Sequence, residues 1–518
     1  MSTSRAGLRR SAPRDAGSLP VTRRERWTVG AVTAAFVAVV AFWALFTPVF
    51  DAPDETLHVN SAARLAEGGG WPDPGEARFQ AMVADARGEA AWPAAERATF
   101  AELRAEDPGD VGLDQMTQHP PTYYLYVSVF LRAVDFVDLR VDVALLIARL
   151  SGLLFAAPLP LLVWDSVRRV TRSRRAGIVG AASLLAVPQL AHILGSVSND
   201  VMMIAFGSAV VWLTVRLMTG DARRRVVVGL GVALALALLT KSTALPLVPF
   251  AGLALLLWPS ALPLARRIRR TALAAVIALA GGWWWVRNLV VHGTLQPAGI
   301  VYEPTPWADG TGPDPLFFAE QLWQRVSSSF WGKFGWLDYP IPTFLSDILT
   351  VVCLAVVIGF AIRRGPLRWQ TVVLAALPVV TFAAMLTQTW PSYVRTQLPA
   401  GMQGRYFFVI IVPLIVLSAV AWRRLVAPAY RRRAGVAIVL ASAAMAVVGY
   451  TTEFALAYGG DARRTLDLLP GSDAANIAAV VLTALVGLTA VVAAVLFVGR
   501  GSSVPVLAHD ADHREAHV

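Results

Sequence analysis

Cysteine and charged residues are scarce in this sequence, and each shortage excludes a class of protein. The single cysteine, Cys353, lies in an apolar run, so neither a disulfide nor a metal–thiolate cluster is available. Only 16% of the residues are charged, whereas a soluble chain carries about 25%, and the mean hydropathy is +0.55. The net charge of +11 comes from arginines in short blocks between apolar runs. That pattern is typical of membrane topology rather than of nucleic-acid binding.

Long apolar runs recur throughout the chain, and most have the length of a helix that crosses a bilayer, about 20 residues. The sequence therefore predicts an all-α, polytopic membrane protein with about 12 transmembrane helices. The expected spans are 27–49, 143–163, 176–196, 200–218, 226–240, 243–258, 271–286, 346–362, 369–388, 405–422, 434–454 and 475–498. Basic blocks follow alternate spans, so the positive-inside rule places both termini in the cytoplasm.

The polar parts of the chain are two tails and two long loops. Residues 1–26 are expected to be a disordered cytoplasmic tail, 27–498 the transmembrane domain, and 499–518 a second cytoplasmic tail. The long loops, 51–120 and 288–345, are expected on the outside. The first of them holds 14 acidic residues and 5 arginines, the opposite bias from the tail before it.

Two aromatic segments belong to the predicted outer surface. Residues 121–136 are apolar but short, which favours a juxtamembrane helix along the outer interface with its tyrosines at headgroup level. Residues 329–340, in the second loop, mix aromatic rings with glycine and proline around Lys333. This composition fits either an aromatic belt at the bilayer surface or a folded loop that stacks on a sugar or covers a lipid tail.

The stretch just beyond the first span gathers acidic side chains and a histidine, His58. Because charge is excluded from the bilayer core, these groups must lie at or beyond its surface. Asp54 and Glu55 are candidates for a general base, which must come within about 2.6–3.2 Å of the hydroxyl that it deprotonates. An acidic pair after a span is also commonly a helix cap or a topological charge.

Asn199 and Asp200 stand at an outer turn between two predicted spans. Residues of these types often cap a helix. Asp200 can instead orient a substrate or, together with Asp54, hold a divalent cation such as Mg²⁺ or Mn²⁺. The sequence does not decide between these interpretations.

Cationic side chains fall on the same predicted side of the membrane. Lys241 and Arg405, the latter followed by Tyr406, can face a lipid phosphate, and arginine can hold one through two hydrogen bonds. A cation that merely marks the interface by extending its side chain to water is the alternative. His119 and Arg287 also lie on this side.

The order of these motifs, more than any one of them, resembles a known superfamily. The motifs are Pro53-Asp54-Glu55-x-x-His58, His119-Pro120-Pro121-x-Tyr123-Tyr124, Ser198-Asn199-Asp200, Thr240-Lys241, Arg287-Asn288, Phe330-Trp331-Gly332-x-Phe334-Gly335-Trp336 and Gln403-Gly404-Arg405-Tyr406. They resemble the GT-C glycosyltransferases that use polyprenyl-phosphate sugars, among them protein O-mannosyltransferases and lipid A aminoarabinose transferases. Within this superfamily, the chain is most similar over roughly 27–422 to a bacterial branch of membrane proteins of unknown function.

The resemblance implies an inverting sugar transfer on the outer face of the bacterial plasma membrane. Asp54 would be the base with Glu55 beside it, while Lys241 and Arg405 would neutralise the leaving polyprenyl phosphate. The residues expected to bind donor or substrate are His58, His119, Asn199, Asp200, Lys241, Arg287, Lys333, Arg405 and Tyr406. The expected partners are membrane lipid, a polyprenyl-phosphate-linked sugar and a glycan, lipid or protein acceptor, with no nucleic acid.

Two other functions stay open from the sequence: a transporter or flippase of lipid-linked sugars, and a non-catalytic factor in cell-envelope assembly. A transporter would more often place its ionisable groups near mid-membrane, in two related halves. The enzyme interpretation requires that Asp54 and Asp200 converge at one cavity. The sugar, the acceptor and the use of a metal are left open.

Overall fold

The computed structural model describes residues 19–107, 109–221, 223–258, 262–300, 303–365 and 367–500. Its first helix begins at Arg23, because Thr22 and Glu25 form a capping box in which each side chain accepts a hydrogen bond from the other's backbone N–H. The last helix ends at Gly499. Most of the two expected tails therefore lies outside the described residues.

The described residues form helices joined by turns, with two small antiparallel sheets. The helices are α1 (Arg23–Phe46), α2 (Glu55–Ala66), α3 (Ala81–Asp85), α4 (Phe100–Glu106), α5 (Thr122–Ala133), α6 (Val141–Ser151), α7 (Leu153–Ala156), α8 (Leu159–Thr171), α9 (Arg174–Ala182), α10 (Pro188–Leu194), α11 (Asn199–Met218), α12 (Arg224–Leu238), α13 (Leu247–Leu257), α14 (Leu264–His292), α15 (Pro315–Trp331), α16 (Thr343–Phe360), α17 (Arg368–Thr396), α18 (Ile411–Leu425), α19 (Arg431–Ala457), α20 (Ala462–Leu468) and α21 (Asp473–Gly499). The paired strands are β1 (Arg78–Gln80) with β2 (Asp110–Leu113), and β3 (Lys333–Phe334) with β4 (Tyr339–Pro340).

Nine segments of the described chain are long and apolar enough to cross a membrane, which confirms an all-α, multi-pass membrane protein. They are α1, the run from α6 to α8, α11, α14, α16, α17, the 3₁₀ turn Gly404–Ile410 continuing into α18, α19 and α21. A tenth is added if the segments Arg174–Ala186 and Pro188–Leu194, which meet at 74°, count as one broken span.

The expected number of twelve spans is not confirmed, although all twelve predicted positions are helical. Helix α12 has 15 residues, about 22 Å at 1.5 Å per residue, against about 30 Å of hydrocarbon. The helical segment Ser242–Leu257 is also shorter than a span. Both are short because the chain breaks between them, where Lys241 adopts an extended conformation.

The first expected loop, 51–120, is folded. Helix α2 packs against α5, while α3 and α4 pack on each other beside the β1–β2 pair. Helix α5 has 12 residues and is too short to span, in agreement with the juxtamembrane prediction. The position of its tyrosines at headgroup level was wrong: Tyr123 and Tyr124 are buried, because α5 packs their face against protein.

The second expected loop, 288–345, also contains regular structure. Helix α14 continues to His292, α15 fills much of the loop, and the β3–β4 hairpin follows. Helix α15 packs against α16 and against the turn Gly404–Ile410. Phe334 is fully buried in the hairpin. These contacts favour the folded-loop interpretation of the aromatic segment over a belt.

The two ends of the bundle carry different polar contacts. At one end, Glu25 at the start of α1 pairs with Arg168 near the end of α8, with Nε and Oε1 2.8 Å apart, and Asp165 pairs with Arg169. At the other end, α1 finishes while α11 and the turn before α18 begin. This second end gathers most of the residues that the motifs single out.

Candidate active site

The corner between α1 and α2 holds Asp54 in an unusual backbone conformation. Its φ is 62°, in the left-handed region, and Phe50 in the same corner has a φ of 54°. Such values are uncommon for residues other than glycine, although aspartate tolerates them better than most. Asp54 stands just before α2, yet its side chain makes no capping hydrogen bond. The carboxylate therefore faces a partner other than its own helix.

Arg405 is that partner, and it joins Asp54 to Asp200. The Arg405 Nη2 lies 2.5 Å from Asp54 Oδ2, and its Nε lies 3.8 Å from Asp200 Oδ2. Lys241 extends the set, because its Nζ lies 2.7 Å from Asp200 Oδ1. We call these four residues the charged cluster. They are far apart in the chain, and the structure brings them together as the enzyme interpretation requires.

A close backbone approach positions Arg405 in this cluster. The Gly404 N–H donates to Ser329 Oγ at 2.8 Å. A Cβ atom on Gly404 would collide with the Phe330 backbone nitrogen, a contact that real side chains do not make. Glycine is therefore required where the turn lies against the end of α15. The Phe-Trp-Gly and Gln-Gly-Arg motifs meet at this contact.

Tyr406 covers both cations of the cluster. The centre of its ring lies 5.7 Å from the Arg405 guanidinium carbon and 5.8 Å from the Lys241 Nζ. A cation within about 6 Å of an aromatic face is attracted to it. Tyr406 therefore helps to hold the two positive groups in place.

Neutral polar groups lie beside the charged cluster. His58 Nδ1 is 3.1 Å from the hydroxyl of Tyr124, and its Nε2 is 3.5 Å from Ser198 Oγ. Asn199 Nδ2 donates to the same tyrosine hydroxyl at 3.3 Å. His119 is buried at this end as well. Together these residues offer uncharged donors and acceptors of the kind that hydroxyl groups use.

Several buried polar atoms here have no hydrogen-bond partner among the described residues. They are Nε and Nη1 of Arg405, Oδ2 of Asp200, Oδ1 of Asn199, Nδ1 of His119 and Oε1 of Gln403. A buried polar group without a partner costs about 1–3 kcal/mol. Proteins seldom leave several of them together unless a ligand or water completes their bonding. The unpaired guanidinium atoms suit an anionic part of such a ligand.

Burial and charge fix the protonation of the groups outside the spans. Burial acts to raise the pKa of Asp54, but the charge and hydrogen bond of Arg405 outweigh it and hold that pKa below its usual range. Burial lowers the pKa of His58 to about 3 and holds the pKa of His119 well below its ordinary value. At neutral pH an ionised carboxylate therefore stands beside two neutral imidazoles.

Glu55, a candidate general base beside Asp54 in the sequence analysis, is enclosed by protein groups. It is fully buried and forms two bonds with Arg149, at 2.7 Å and 2.9 Å. Its Oε1 also accepts a hydrogen bond from the backbone N–H of Val197 at 2.9 Å. Both oxygens are engaged, and no face is left for a substrate. Glu55 is therefore a positioning residue that points into the core while Asp54 faces the charged cluster.

Arg287 and Lys333, which the sequence analysis expects to bind donor or substrate, do not join the charged cluster. Arg287 Nη2 lies 2.8 Å from Asp73 Oδ1, which ties the end of α14 to the first loop. Lys333 lies in β3, where its backbone N–H donates to Gln189 Oε1 at 2.6 Å. Burial lowers the pKa of Lys333, and the charged groups that affect it are Arg325 and Asp338. Both cations are therefore engaged elsewhere, Arg287 near the end of α14 and Lys333 in the second loop.

Two residues that the sequence analysis did not assign to the site help to build it. Arg149 holds Glu55 and also donates to three backbone carbonyls at the end of α1. An arginine inside an apolar run is costly unless it is paired, and this was the signal available. Tyr124 bonds His58 and Asn199 from within a motif whose tyrosines were expected at the membrane surface, so no signal separated it from an interfacial residue.

Asp54 and Asp200 are the residues expected to hold Mg²⁺ or Mn²⁺. In the described part of the chain, no group of three or more histidine, cysteine, aspartate or glutamate side chains is placed to hold a metal ion. Arg405 contacts both carboxylates, so this arrangement suits a protein cation better than a divalent metal. Metal use stays a prediction, and the reaction proposed below has no step through a metal.

Comparison with solved structures gives weak likenesses over most of the chain. ArnT from Cupriavidus metallidurans bound to undecaprenyl phosphate is 19% identical, with a TM-score of 0.46 over 92% of this chain and 78% of that one. The apo state of the same protein is 18% identical, with a TM-score of 0.47 over 93% and 73%. The Archaeoglobus fulgidus oligosaccharyltransferase in the apo form is 12% identical, with a TM-score of 0.42 over 92% and 56%.

Comparison with curated proteins gives no match. A family model does match, and its description is "Predicted membrane protein (DUF2142)". The match covers residues 37–417, most of the chain, and includes all four residues of the charged cluster. It confirms the predicted likeness to a membrane-protein branch of unknown function. The chain belongs to the DUF2142 family of membrane proteins.

Proposed function

We propose that this protein is an inverting glycosyltransferase that moves a sugar from a polyprenyl-phosphate donor to an acceptor hydroxyl. The observation that carries the proposal is the convergence of Asp54 and Asp200 on Arg405, whose Nε and Nη1 are buried and unpaired. A base, an anion-binding cation and neutral polar groups then occupy one end of a membrane bundle. That set of groups suits transfer from a lipid phosphate.

The phosphate of the donor would bind to Arg405 and Lys241. Arginine donates to phosphate through a planar fork, and lysine adds a second positive charge. As the bond between the anomeric carbon and the phosphate oxygen breaks, the electron pair and negative charge go to the phosphate. Cations fixed beside that oxygen stabilise the transition state more than the ground state.

Asp54 would accept the proton of the attacking hydroxyl. The acceptor oxygen forms its bond to the anomeric carbon from the face opposite the phosphate, and this direct displacement inverts the configuration there. Before the donor binds, Arg405 holds Asp54 as a carboxylate. A phosphate bound to Arg405 would share that positive charge, so the pKa of Asp54 would rise and the carboxylate would become a stronger base.

The neutral groups beside the cluster would bind the sugar. His58, Tyr124 and Asn199 are linked by hydrogen bonds, which fixes the direction in which each can donate or accept. Asn199 Oδ1 and His119 Nδ1 are buried and still unpaired. Uncharged groups of this kind bind hydroxyls without competing for the phosphate.

The orientation proposed is the one that the positive-inside rule gives. The end with the charged cluster would face outward from a bacterial plasma membrane, and the termini would be cytoplasmic. The acceptor would then be a glycan, lipid or protein of the cell envelope. Helix α15 packs against the turn that carries Arg405, and the first loop begins beside Asp54, so these two parts would recognise the acceptor.

Transfer from a panel of polyprenyl-phosphate sugars by the purified full chain tests the proposal. Undecaprenyl phosphate, the lipid in the ArnT structure, is the first carrier to try. We expect Asp54→Asn to lower kcat by at least about 10²-fold, because the amide cannot accept the proton. Asp85→Asn, an exposed acid in the same loop, is the matched control and should keep full activity.

Transfer by Asp54→Asn at the wild-type rate would show that the base is wrongly assigned. If neither protein transfers sugar but the wild type moves the lipid-linked sugar across vesicles, and Asp54→Asn does not, the protein is a transporter. An assembly factor would keep its activity in cells when Asp54, Asp200 and Arg405 are each substituted.

A further inference from the structure

A cavity lies beside Asp51, three residues before the proposed base. It has a volume of about 260 Å³. Its polar lining residues are Asp51, Arg87, Arg97, Tyr339, Tyr458 and Arg464. Small-molecule pockets usually measure ~300–1,000 Å³. The Asp51 cavity, as we call it, therefore fits one small group and is too small for a lipid chain or a protein segment.

The cations of this cavity are not balanced by its acid. Arg97 is neutralised by Asp142, 3.3 Å away, and its other donors bond backbone carbonyls. Arg87 and Arg464 are exposed side chains that line the cavity and form no ion pair among the described residues. Two guanidinium groups without an acidic partner therefore line a small space that holds a single carboxyl.

Asp51 offsets little of the positive charge of Arg87 and Arg464. Burial, followed by the charge of Asp338, raises the pKa of Asp51 to about 7. Near neutral pH a large part of it is therefore uncharged. Its Oδ2 is buried and has no hydrogen-bond partner among the described residues. The lining as a whole is positive and has an unused polar atom.

One of the two arginines is held in place before any ligand arrives. The Arg87 guanidinium carbon lies 4.5 Å from the centre of the Trp336 ring. The Nε1 of Trp336 donates to the carbonyl of Phe50 at 2.9 Å, which fixes the indole against the corner that carries Asp51. A cation positioned in this way loses little freedom on binding, and this favours affinity.

We propose that the Asp51 cavity binds an anionic group of the acceptor, a phosphate or a carboxylate, between Arg87 and Arg464. Guanidinium groups bind both anions through paired, charge-assisted hydrogen bonds. The inference rests on the proposed function, since an acceptor anchored here would reach Asp54 along the same corner of the chain. The acceptor would then be an acidic glycan rather than a neutral sugar or a membrane lipid.

Binding of radiolabelled inorganic phosphate, measured by equilibrium dialysis, tests the cavity. The sample is the full chain in nanodiscs of zwitterionic phosphatidylcholine. We expect Arg464→Gln and Arg87→Gln each to weaken phosphate binding about tenfold, as for the loss of one charge-assisted hydrogen bond. Arg463→Gln is the matched control. Its side chain is 74% exposed and pairs with Asp467 and Asp473, so its removal should leave binding unchanged.

Phosphate binding that falls only in Arg405→Gln, and in neither Arg464→Gln nor Arg87→Gln, would overturn the proposal. Nanodiscs that contain anionic phosphatidylglycerol distinguish an acceptor site from a site for a lipid headgroup. Phosphate binding that persists there supports an acceptor site. If the wild type binds phosphate in neutral nanodiscs but not in anionic ones, the cavity binds a lipid headgroup and the acceptor proposal is overturned.

Transfer kinetics separate this inference from the proposed function. With an acidic acceptor, Arg464→Gln should raise the KM for the acceptor about tenfold and leave the KM for the donor unchanged. Asp54→Asn should abolish transfer and keep phosphate binding. Phosphate binding that depends on Arg464, together with transfer that does not depend on Asp54, would refute the proposed function and with it the identity of the anion as an acceptor group.

Discussion

Glu55 and Val197 are joined by a hydrogen bond of 2.9 Å although 142 positions separate them in the sequence. The carboxylate that accepts this bond follows Asp54 directly, and the N–H that donates it stands just before the turn that carries Asp200. Arg149 binds the same carboxylate through two nitrogens. One buried ion pair therefore holds the two acids of the charged cluster at a fixed separation.

Substitution of either member of the Glu55–Arg149 pair should destabilise the protein. Arg149→Met would leave an uncompensated buried carboxylate, which costs about 3–5 kcal/mol. We expect a large decrease in the thermal midpoint of the purified protein, followed by circular dichroism, for Arg149→Met and for Glu55→Gln. Asp85→Asn, an exposed acid in the first loop, is the control and should keep the wild-type midpoint. A Glu55→Gln protein that keeps the wild-type midpoint but transfers no sugar would instead restore Glu55 as a candidate catalytic base.

Arg405→Gln should move the acid limb of the pH–rate profile. In the wild type, Arg405 holds the pKa of Asp54 below its usual range, so the base stays ionised down to acid pH. Without the guanidinium, burial dominates and raises that pKa, and the rate should begin to fall at a higher pH. We also expect kcat to fall about 10²–10³-fold at pH 7.5, through lost stabilisation of the leaving phosphate.

The measurement for this prediction is log kcat/KM from pH 4 to pH 8. Lys241→Gln is the comparison, because Lys241 lowers the pKa of Asp54 less than Arg405 does. It should lower the rate with a smaller shift of the acid limb. Identical acid limbs in wild type and Arg405→Gln would show that Asp54 is not the titrating base.

Gly404→Ala should disable the site from outside the reacting groups. The new methyl group would collide with the Phe330 backbone, so the turn must move away from α15 and carry Arg405 with it. We expect transfer to fall as far as in Arg405→Gln. Gly359→Ala, in α16 with open space around it, is the control and should be neutral or slightly stabilising. Full activity in Gly404→Ala would mean that the position of Arg405 does not depend on this contact.

The sequence predicts the charged cluster because each of its residues stands at the end of an apolar run. Asp54, Asp200, Lys241 and Arg405 follow or precede predicted spans, and alternate spans bring such ends to one side. Charge cannot enter the hydrocarbon without a partner, so the positions of charges reveal the topology. The same reasoning cannot say which neighbouring side chain faces inward, and for that reason Glu55 was grouped with Asp54.

The lengths of the spans and the packing of the loops are harder to predict than the positions of the charged residues. The runs 226–240 and 243–258 read as spans because hydropathy does not record where a chain turns at Thr240 and Lys241. Arg287 lies near the end of α14 and Lys333 in the second loop, and the partners of both are distant in sequence. No local pattern contains those contacts, and only the structure separates these two cations from the charged cluster.

Asp51 should make the stability of the protein fall as the pH rises. Burial and the charge of Asp338 raise its pKa to about 7 in the folded state, against about 3.9 in an unfolded chain. Between these values the folded state binds more protons than the unfolded state, so stability decreases with increasing pH. Arg149 and Arg87 lower the pKa of Asp51, Glu55 raises it, and the shift is what remains after these opposing effects.

The thermal midpoint between pH 4 and pH 8 measures this dependence. Asp51→Asn removes the titrating group, so its midpoint should decline less steeply than that of the wild type and exceed it at pH 8, while the two should agree more closely at pH 4. Asp85→Asn, exposed in the same loop, should keep the wild-type slope. A slope that Asp51→Asn does not change would mean that Asp51 is already ionised in the folded protein. The Asp51 cavity would then carry a full negative charge between its two arginines, and its affinity for phosphate would be correspondingly weaker.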